Sequence, residues 1–263
     1  MAAIQPAAVA RTGAAVLPLK EPDADGHEVH LLRRETVAAG TVAFHFTRPP
    51  GYAYRAGQSA LLTLVDPPET DAEGDTREFT IASAPHEAEL MFAMRSRNTA
   101  FKRVLEAAAP GTTLRLGEAD GDLVLHEDGA RPAVFIAGGI GITPFLAMAR
   151  QAAHDALPHA LYLFYANHTP AEAAFLPELR ALQRANPRLR LIATVTEPER
   201  SAAPWPGERG PIGPELLQRH IAALSEPVYY LAGPPAMTLA MLDMLEDLGV
   251  DPGAIQSDEF DGY

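Results

Sequence analysis

The stretch Phe135-Ile136-Ala137-Gly138-Gly139-Ile140-Gly141-Ile142-Thr143-Pro144 has the residue types of an anion site. A continuous apolar run, the pattern of a buried strand, passes into three glycines and then into residues that open a helix. Glycines let a ligand approach the backbone, and the free N–H groups at a helix N-terminus favour a phosphate. Thr143 can cap that helix, and Pro144 suits its first turn, where a missing N–H is not needed. The spacing is neither Gly-x-Gly-x-x-Gly nor Gly-Lys-Ser/Thr, so neither the ordinary dinucleotide fingerprint nor a P-loop is satisfied. A tight turn of purely structural use is the alternative.

Leu231-Ala232-Gly233-Pro234-Pro235-Ala236-Met237 has the same form, a buried strand ending in Gly-Pro before a helix. On parallel strands the two turns would share one sheet edge and could embrace one extended ligand. Met237, Met241, Leu242, Met244, Leu245 and Leu248 recur at helical spacing, which reads as core. A third feature is Arg77-Glu78-Phe79-Thr80-Ile81, where Arg77 and Phe79 point to one face of a strand and Glu78 and Thr80 to the other. An arginine beside an aromatic can hold a phosphate and stack a ring.

The elements that must position these residues fall into two textures. Segments 28–35, 41–48, 59–65, 79–83, 90–95 and 113–116 are short, strand-like and separated by turn residues. One helix, 100–109, interrupts them; Asn98 or Thr99 caps it and Pro110-Gly111 stops it. This half predicts a small antiparallel β-barrel or sandwich, of which the barrel is preferred. Beyond 129–132, strands at 133–137, 161–166, 189–195 and 228–232 alternate with helices at 143–156, 171–184, 214–224 and 236–248. Such alternation predicts a parallel sheet with helices on both faces, its ligands at the carboxyl ends of the strands. The expected organisation is an N-terminal arm at 1–26, a barrel domain at 27–129 and an α/β domain at 130–263.

Composition narrows the function. The 263 residues hold 21 Lys+Arg against 34 Asp+Glu, a formal charge of −13, which gives no electrostatic reason to bind nucleic acid or an anionic membrane. No apolar run reaches the roughly 18–20 residues of a membrane helix. Cysteine is absent, which excludes disulfides, Cys-ligated clusters and thiolate catalysis in these residues and fits a reducing, cytoplasmic compartment. The nine histidines form no ligand cluster. No Gly-x-Ser-x-Gly appears, which argues against a hydrolase.

Taken in order, these motifs resemble those of the ferredoxin–NADP reductase-like flavoproteins. Arg77-Glu78-Phe79-Thr80 resembles the family's Arg-x-Tyr-Ser flavin motif, with Ala56-Gly57-Gln58 before it. Asn98-Thr99-Ala100-Phe101-Lys102 resembles the segment on the flavin pyrophosphate. Gly138 to Pro144 resembles the nicotinamide-nucleotide loop, and Gly233-Pro234-Pro235 the late loop on the same nucleotide. The resemblance implies FAD in the barrel and NADH in the α/β domain, with NADPH the alternative. Hydride would pass from the nicotinamide nucleotide to the flavin, and electrons onward to a separate protein or small-molecule acceptor. A flavin- or nucleotide-binding subunit without its own turnover is the competing reading.

The resemblance also implies roles for residues. Arg77 would pair with the pyrophosphate, helped by N–H groups at Thr99, Ala100 and Phe101. Phe79 would pack along the flavin, and Thr80 would hydrogen-bond near its N5. Ile81, Met94 and Arg95 complete the flavin side. Gly138, Gly139, Ile140, Gly141, Thr143, Pro144, Gly233, Pro234, Pro235 and Met237 form the nucleotide side. Phe260 or Tyr263 would cover the flavin ring. Phe79 replaces the motif's tyrosine, and Ala232 stands where many members carry cysteine. Glu197 and Glu199 follow the third α/β strand and would repel a 2′-phosphate, although Arg200 could bind one; this favours NADH. Asp66, Glu69, Asp71, Glu73 and Asp75 read as a solvated acidic loop beside the flavin strand. Glu172, Glu178 and Arg180 read as a solvated helix face. Arg95, Arg97, Lys102 and Arg103 would steer an acidic partner or face the flavin phosphates.

Overall fold

The computed structural model describes residues 26–201 and 204–259. The expected arm, apart from Gly26, and both Phe260 and Tyr263 lie outside the described residues. The first sheet contains β1 (His27–Ala38), β2 (Thr41–Thr47), β3 (Ser59–Leu64), β4 (Thr76–Thr80), β5 (Glu89–Arg95) and β6 (Thr113–Leu116), with α1 (Ala100–Ala107) between the last two. All its pairings are antiparallel, in the order β4-β3-β6-β1-β2-β5. Just past β4, the Ala82 N–H donates to the Met91 carbonyl at 2.7 Å, drawing the two edges of the sheet together into a barrel. Phe44, Phe46, Leu62, Phe92, Leu114 and Leu116 fill it from alternate positions.

The second half holds β7 (Ala133–Gly138), α2 (Thr143–His154), β8 (Leu161–Asn167), α3 (Leu176–Ala185), β9 (Leu189–Val195), β10 (Glu208–Arg209), α4 (Pro214–His220), β11 (Val228–Gly233), α5 (Pro235–Asp247) and β12 (Ile255–Glu259). The strands are parallel, in the order β10-β9-β8-β7-β11-β12. Apolar side chains line both faces, as helices on both sides require. Phe135 and Tyr230 face one layer; Val134, Ile136, Tyr229 and Leu231 face the other. The chain leaves β7 for β8 on one side and later returns to β11 on the other. That reversal is the switch point where such sheets open a crevice.

Several sequence expectations change. The strand expected at 79–83 is β4, Thr76–Thr80, so it starts and ends three residues earlier. The helix expected at 171–184 is a 3-10 turn, Pro170–Glu172, followed by α3; Phe175 between them has a left-handed backbone (φ 58°) that a continuous helix cannot contain. Thr143 is not the cap of α2. A 3-10 turn over Gly139–Ile142 runs directly into the helix, Ile142 already has helical backbone, and the Thr143 hydroxyl donates to the Ile140 carbonyl at 3.1 Å. The last strand, β12, has no counterpart in the sequence reading.

Candidate functional site

Two cavities lie where the motifs predicted ligands. The larger, about 740 Å³, is a cleft between the sheets, lined by β4 of the first and β12 of the second. Arg77, Glu78 and Thr80 contribute one wall, and Gln256, Ser257 and Asp258 the other. Thr80 is only 4% exposed, and its hydroxyl has no hydrogen-bond partner. The side-chain carbonyl of Gln256 is likewise buried without a partner. Buried polar atoms are almost always paired, so two such atoms in one cleft ask for a ligand that pairs them. Gly57 also lines the cleft. Its φ is 105°, and a Cβ there would overlap the Leu123 carbonyl oxygen. Gln58 shapes the same turn: its side chain accepts from the Arg55 N–H at 2.8 Å, and its carbonyl accepts from the Ile81 N–H at 2.9 Å.

Arg77 and Phe79 share a face, and both meet Phe101 on α1. The Phe79 ring lies 5.7 Å from that of Phe101, and the Arg77 guanidinium stands 5.4 Å over it. The rest of the Arg77 head is engaged by its own acidic loop. Nη2 donates to Asp71 at 3.0 Å and pairs with Glu73 at 2.9 Å, while Nη1 donates to the carbonyls of Glu73 and Thr76. The second Asp71 oxygen accepts the Ala100 N–H at 2.8 Å, in the first turn of α1. That backbone hydrogen bond, helped by Arg77, holds the Asp71 carboxyl below the usual carboxylate range. Thr99 caps α1, its hydroxyl accepting from the Lys102 N–H. The acidic loop is therefore bound to Arg77 and to the start of α1 rather than merely solvated.

The smaller cavity, about 250 Å³, opens at the carboxyl ends of the parallel strands. Gly138, Gly139, Asn167, Thr196, Pro234 and Met237 line it. β7 and β11 place Ala137 opposite Ala232, so the two glycine turns emerge side by side. Their glycines mostly serve that closeness. A Cβ on Gly138 would strike the Met237 sulfur and Pro234, one on Gly141 would overlap the Ala232 carbonyl, and one on Gly233 would lie 3.2 Å from the Gly138 nitrogen. Gly139, with φ 53°, is the glycine of the turn itself. Asn167, at the end of β8, is 8% exposed with an unpartnered side-chain carbonyl.

The expected residues divide between these places. Arg77 and Thr80 meet in the cleft; Gly138, Gly139, Pro234 and Met237 meet in the crevice. Arg95 lines the crevice rather than the cleft, where its guanidinium donates to Glu172 at 2.8 Å. Ile81, Met94 and Ala100 are buried in the barrel half, and Thr143 and Pro144 are buried at the start of α2. Ile140 is half-buried against the main core, and Pro235 opens α5. The supposed solvated face also changes. Glu172 is held by Arg95 and by the Thr169 hydroxyl, and Glu178 by Arg150 at 2.6 Å. Gln256 escaped the sequence reading, and Glu172 was placed on a solvated face instead of at the crevice. No group of metal-ligating side chains occurs among the described residues.

Residues 135–242 match the oxidoreductase NAD-binding domain family. The chain is 25% identical over 240 residues to the glycine betaine monooxygenase reductase subunit of Chromohalobacter salexigens, covering 89% of this chain and 64% of that one. It is 25% identical over 186 residues to the reductase component of the naphthalene 1,2-dioxygenase/salicylate 5-hydroxylase systems of a Ralstonia species, covering 70% and 56%. The chain thus spans less than two thirds of the length of these relatives. The fold matches the FAD/NAD-binding domain of nitric oxide dioxygenase from Vibrio cholerae with a TM-score of 0.78, at 20% identity over 90% of this chain and 99% of that one. It matches a ferredoxin NADP+ reductase from Neisseria gonorrhoeae, solved with FAD and NADP bound, with a TM-score of 0.74, at 22% identity over 90% and 99%.

Proposed function

We propose that this chain, a member of the ferredoxin–NADP reductase-like superfamily by its fold and its oxidoreductase NAD-binding domain, is an FAD-dependent NAD(P)H oxidoreductase that hands electrons to a separate acceptor. One observation carries the reading: the buried, unpartnered hydroxyl of Thr80 in a cleft of about 740 Å³ between the two sheets. That volume is within the range of cofactor sites. Thr80 and Gln256 would each gain a hydrogen bond from a flavin there. Phe79 would pack beside it, and Arg77 with the first turn of α1 would hold its diphosphate.

The crevice at the switch point suits the nicotinamide nucleotide. Gly139 and Asn167 offer polar contacts, Pro234, Met237 and Met241 an apolar wall, and Arg95 a cation. Bound flavin would supply the conversion between paired and single electrons; the protein supplies position and shielding from water. NADH suits the site better than NADPH. Arg200 is already paired with Glu197, and a 2′-phosphate would have to break that pair. The names of the relatives, reductase components of oxygenase systems, support a protein acceptor. Among the described residues no helix is long and apolar enough to cross a membrane. The absence of cysteine is what supports our reading of a reducing, cytoplasmic setting.

The test is an anaerobic absorbance titration of the purified protein with NADH and, separately, with NADPH. Bleaching of a flavin band at lower NADH than NADPH concentration is the expected result. Protein that binds no flavin, or binds it and is bleached by neither nucleotide, defeats the reading.

A further inference from the structure

The carboxylate of Asp71 bridges two anion donors that stand on different elements, the guanidinium of Arg77 on β4 and the Ala100 N–H in the first turn of α1. A guanidinium beside the free N–H groups of a helix start makes a phosphate site. Arg77 also lines the cleft in which the Thr80 hydroxyl is buried and unpartnered, so the site stands at the edge of a cavity that itself asks for a ligand. Asp71 is delivered by a loop with the freedom to leave. The loop runs from Asp66 to Asp75, five of its ten residues are acidic, and Asp71 itself is exposed. Asp75 ties the end of the loop to Leu64 and Thr76; between its ends the remaining anchors are contacts to two arginines, Glu73 with Arg77 through its carboxylate and its carbonyl, and Glu69 with Arg103 in an exposed pair of little individual strength.

We propose that Asp71 is an internal stand-in for the flavin diphosphate, and that FAD enters by displacing the Asp66–Asp75 loop from Arg77 and α1. The proposal rests on the flavin reading above and adds a determinant to it. Asp71 weakens FAD, whose diphosphate competes with the carboxylate. It does not weaken riboflavin, which carries no phosphate. The loop then swings outward when a diphosphate, free or carried by FAD, takes the place of the carboxylate, and stays in place with riboflavin.

The experiment is a fluorescence titration of flavin-free full-length protein and its Asp71→Asn variant with FAD and with riboflavin. Asp71→Asn should bind FAD about five- to tenfold more tightly, the size of one exposed charge-assisted contact and the repulsion it replaces, with riboflavin unchanged. Equal or weaker FAD binding by the variant overturns the proposal and makes Asp71 a fixed helix cap. Failure of both proteins to bind any flavin defeats the flavin reading itself, a separate outcome. A second measurement stands if Asp71→Asn fails to fold. The chain has no cysteine, so Ala72→Cys, at an exposed loop position, carries a single thiol-reactive fluorophore. FAD and inorganic pyrophosphate should shift its emission and riboflavin should not. Saturation with FAD without any shift overturns the displacement.

Discussion

Arg95 and Glu172 join the two halves of the molecule across the mouth of the crevice, guanidinium to carboxylate at 2.8 Å. Arg95 ends a barrel strand, and Glu172 sits on the 3-10 turn after β8. Arg95 neutralises Glu172 on the wall of the crevice, and without it that carboxylate would face an incoming nucleotide phosphate uncompensated. Arg95→Ala should therefore raise the KM for NADH about tenfold, near 1.4 kcal/mol, and leave kcat within about twofold. Steady-state kinetics with an artificial acceptor checks this. An unchanged KM would remove Arg95 from nucleotide binding.

The same pair gives a pH dependence. Burial opposes ionisation of Glu172, but the hydrogen bonds from Arg95 and Thr169 outweigh it and hold its carboxyl below the ordinary value of 4.5. A depressed folded-state value means that the contribution is complete above about pH 4.5 and fades as pH falls through the lower, folded value. The stabilities of the wild type and Glu172→Gln should differ at pH 7 and converge under acid. Urea midpoints across pH 3–7 measure it, and a constant gap would show that the carboxylate charge is not what matters.

Thr80→Val should act with opposite sign on two observables. It removes a buried hydroxyl that lacks a partner and keeps the side-chain shape, so the flavin-free protein should gain about 1 kcal/mol. The flavin loses a hydrogen bond, so its reduction by NADH should slow by about tenfold. Thermal melting and stopped-flow absorbance read the two effects. A destabilised apoprotein would mean that the hydroxyl has a partner in solution.

Gly141→Ala should cost about 2 kcal/mol or more, because its Cβ would overlap the Ala232 carbonyl, part of a rigid central strand. Gly213→Ala, with nothing within 4 Å of the added carbon, should cost only the difference between a glycine and an alanine N-cap on α4, about 0.5–1 kcal/mol. Chemical denaturation of the two variants makes the comparison, and equal losses would contradict the nesting of the two glycine turns.

Much of this architecture could be read from the chain. The apolar runs into Gly138 and Gly233 mark buried parallel strands because apolar faces on both sides leave no polar alternation. The barrel strands show their period through residues such as Val42, Phe44 and Phe46. What could not be read depends on partners distant in sequence or on single backbone angles. β12 carries Gln256, Ser257 and Asp258, an edge strand without an apolar stripe, so periodicity had nothing to register. Glu172 looked solvated because helix propensity runs on from Ala171, whereas the left-handed Phe175 breaks the helix and turns the carboxylate toward Arg95. The acidic loop showed its charge but not its target, since the pairing of Asp71 with Ala100 spans 29 residues.

Arg150, on α2, reaches out of its own half: it donates to the Ala82 carbonyl at 3.1 Å and pairs with Glu87, while Glu178 holds its other side. Met91 and Ala93 of the barrel pack into the same core as Phe145 and Met148 of that helix. The two halves are therefore poor interchangeable modules, despite their separate sheets. A chimera joined near residue 130 with a relative's second half would strand the Ala82 carbonyl, Glu87 and the apolar patch of Met91 and Ala93 on the barrel surface. Recombination would succeed only if the 82–93 segment travelled with the helix it grips.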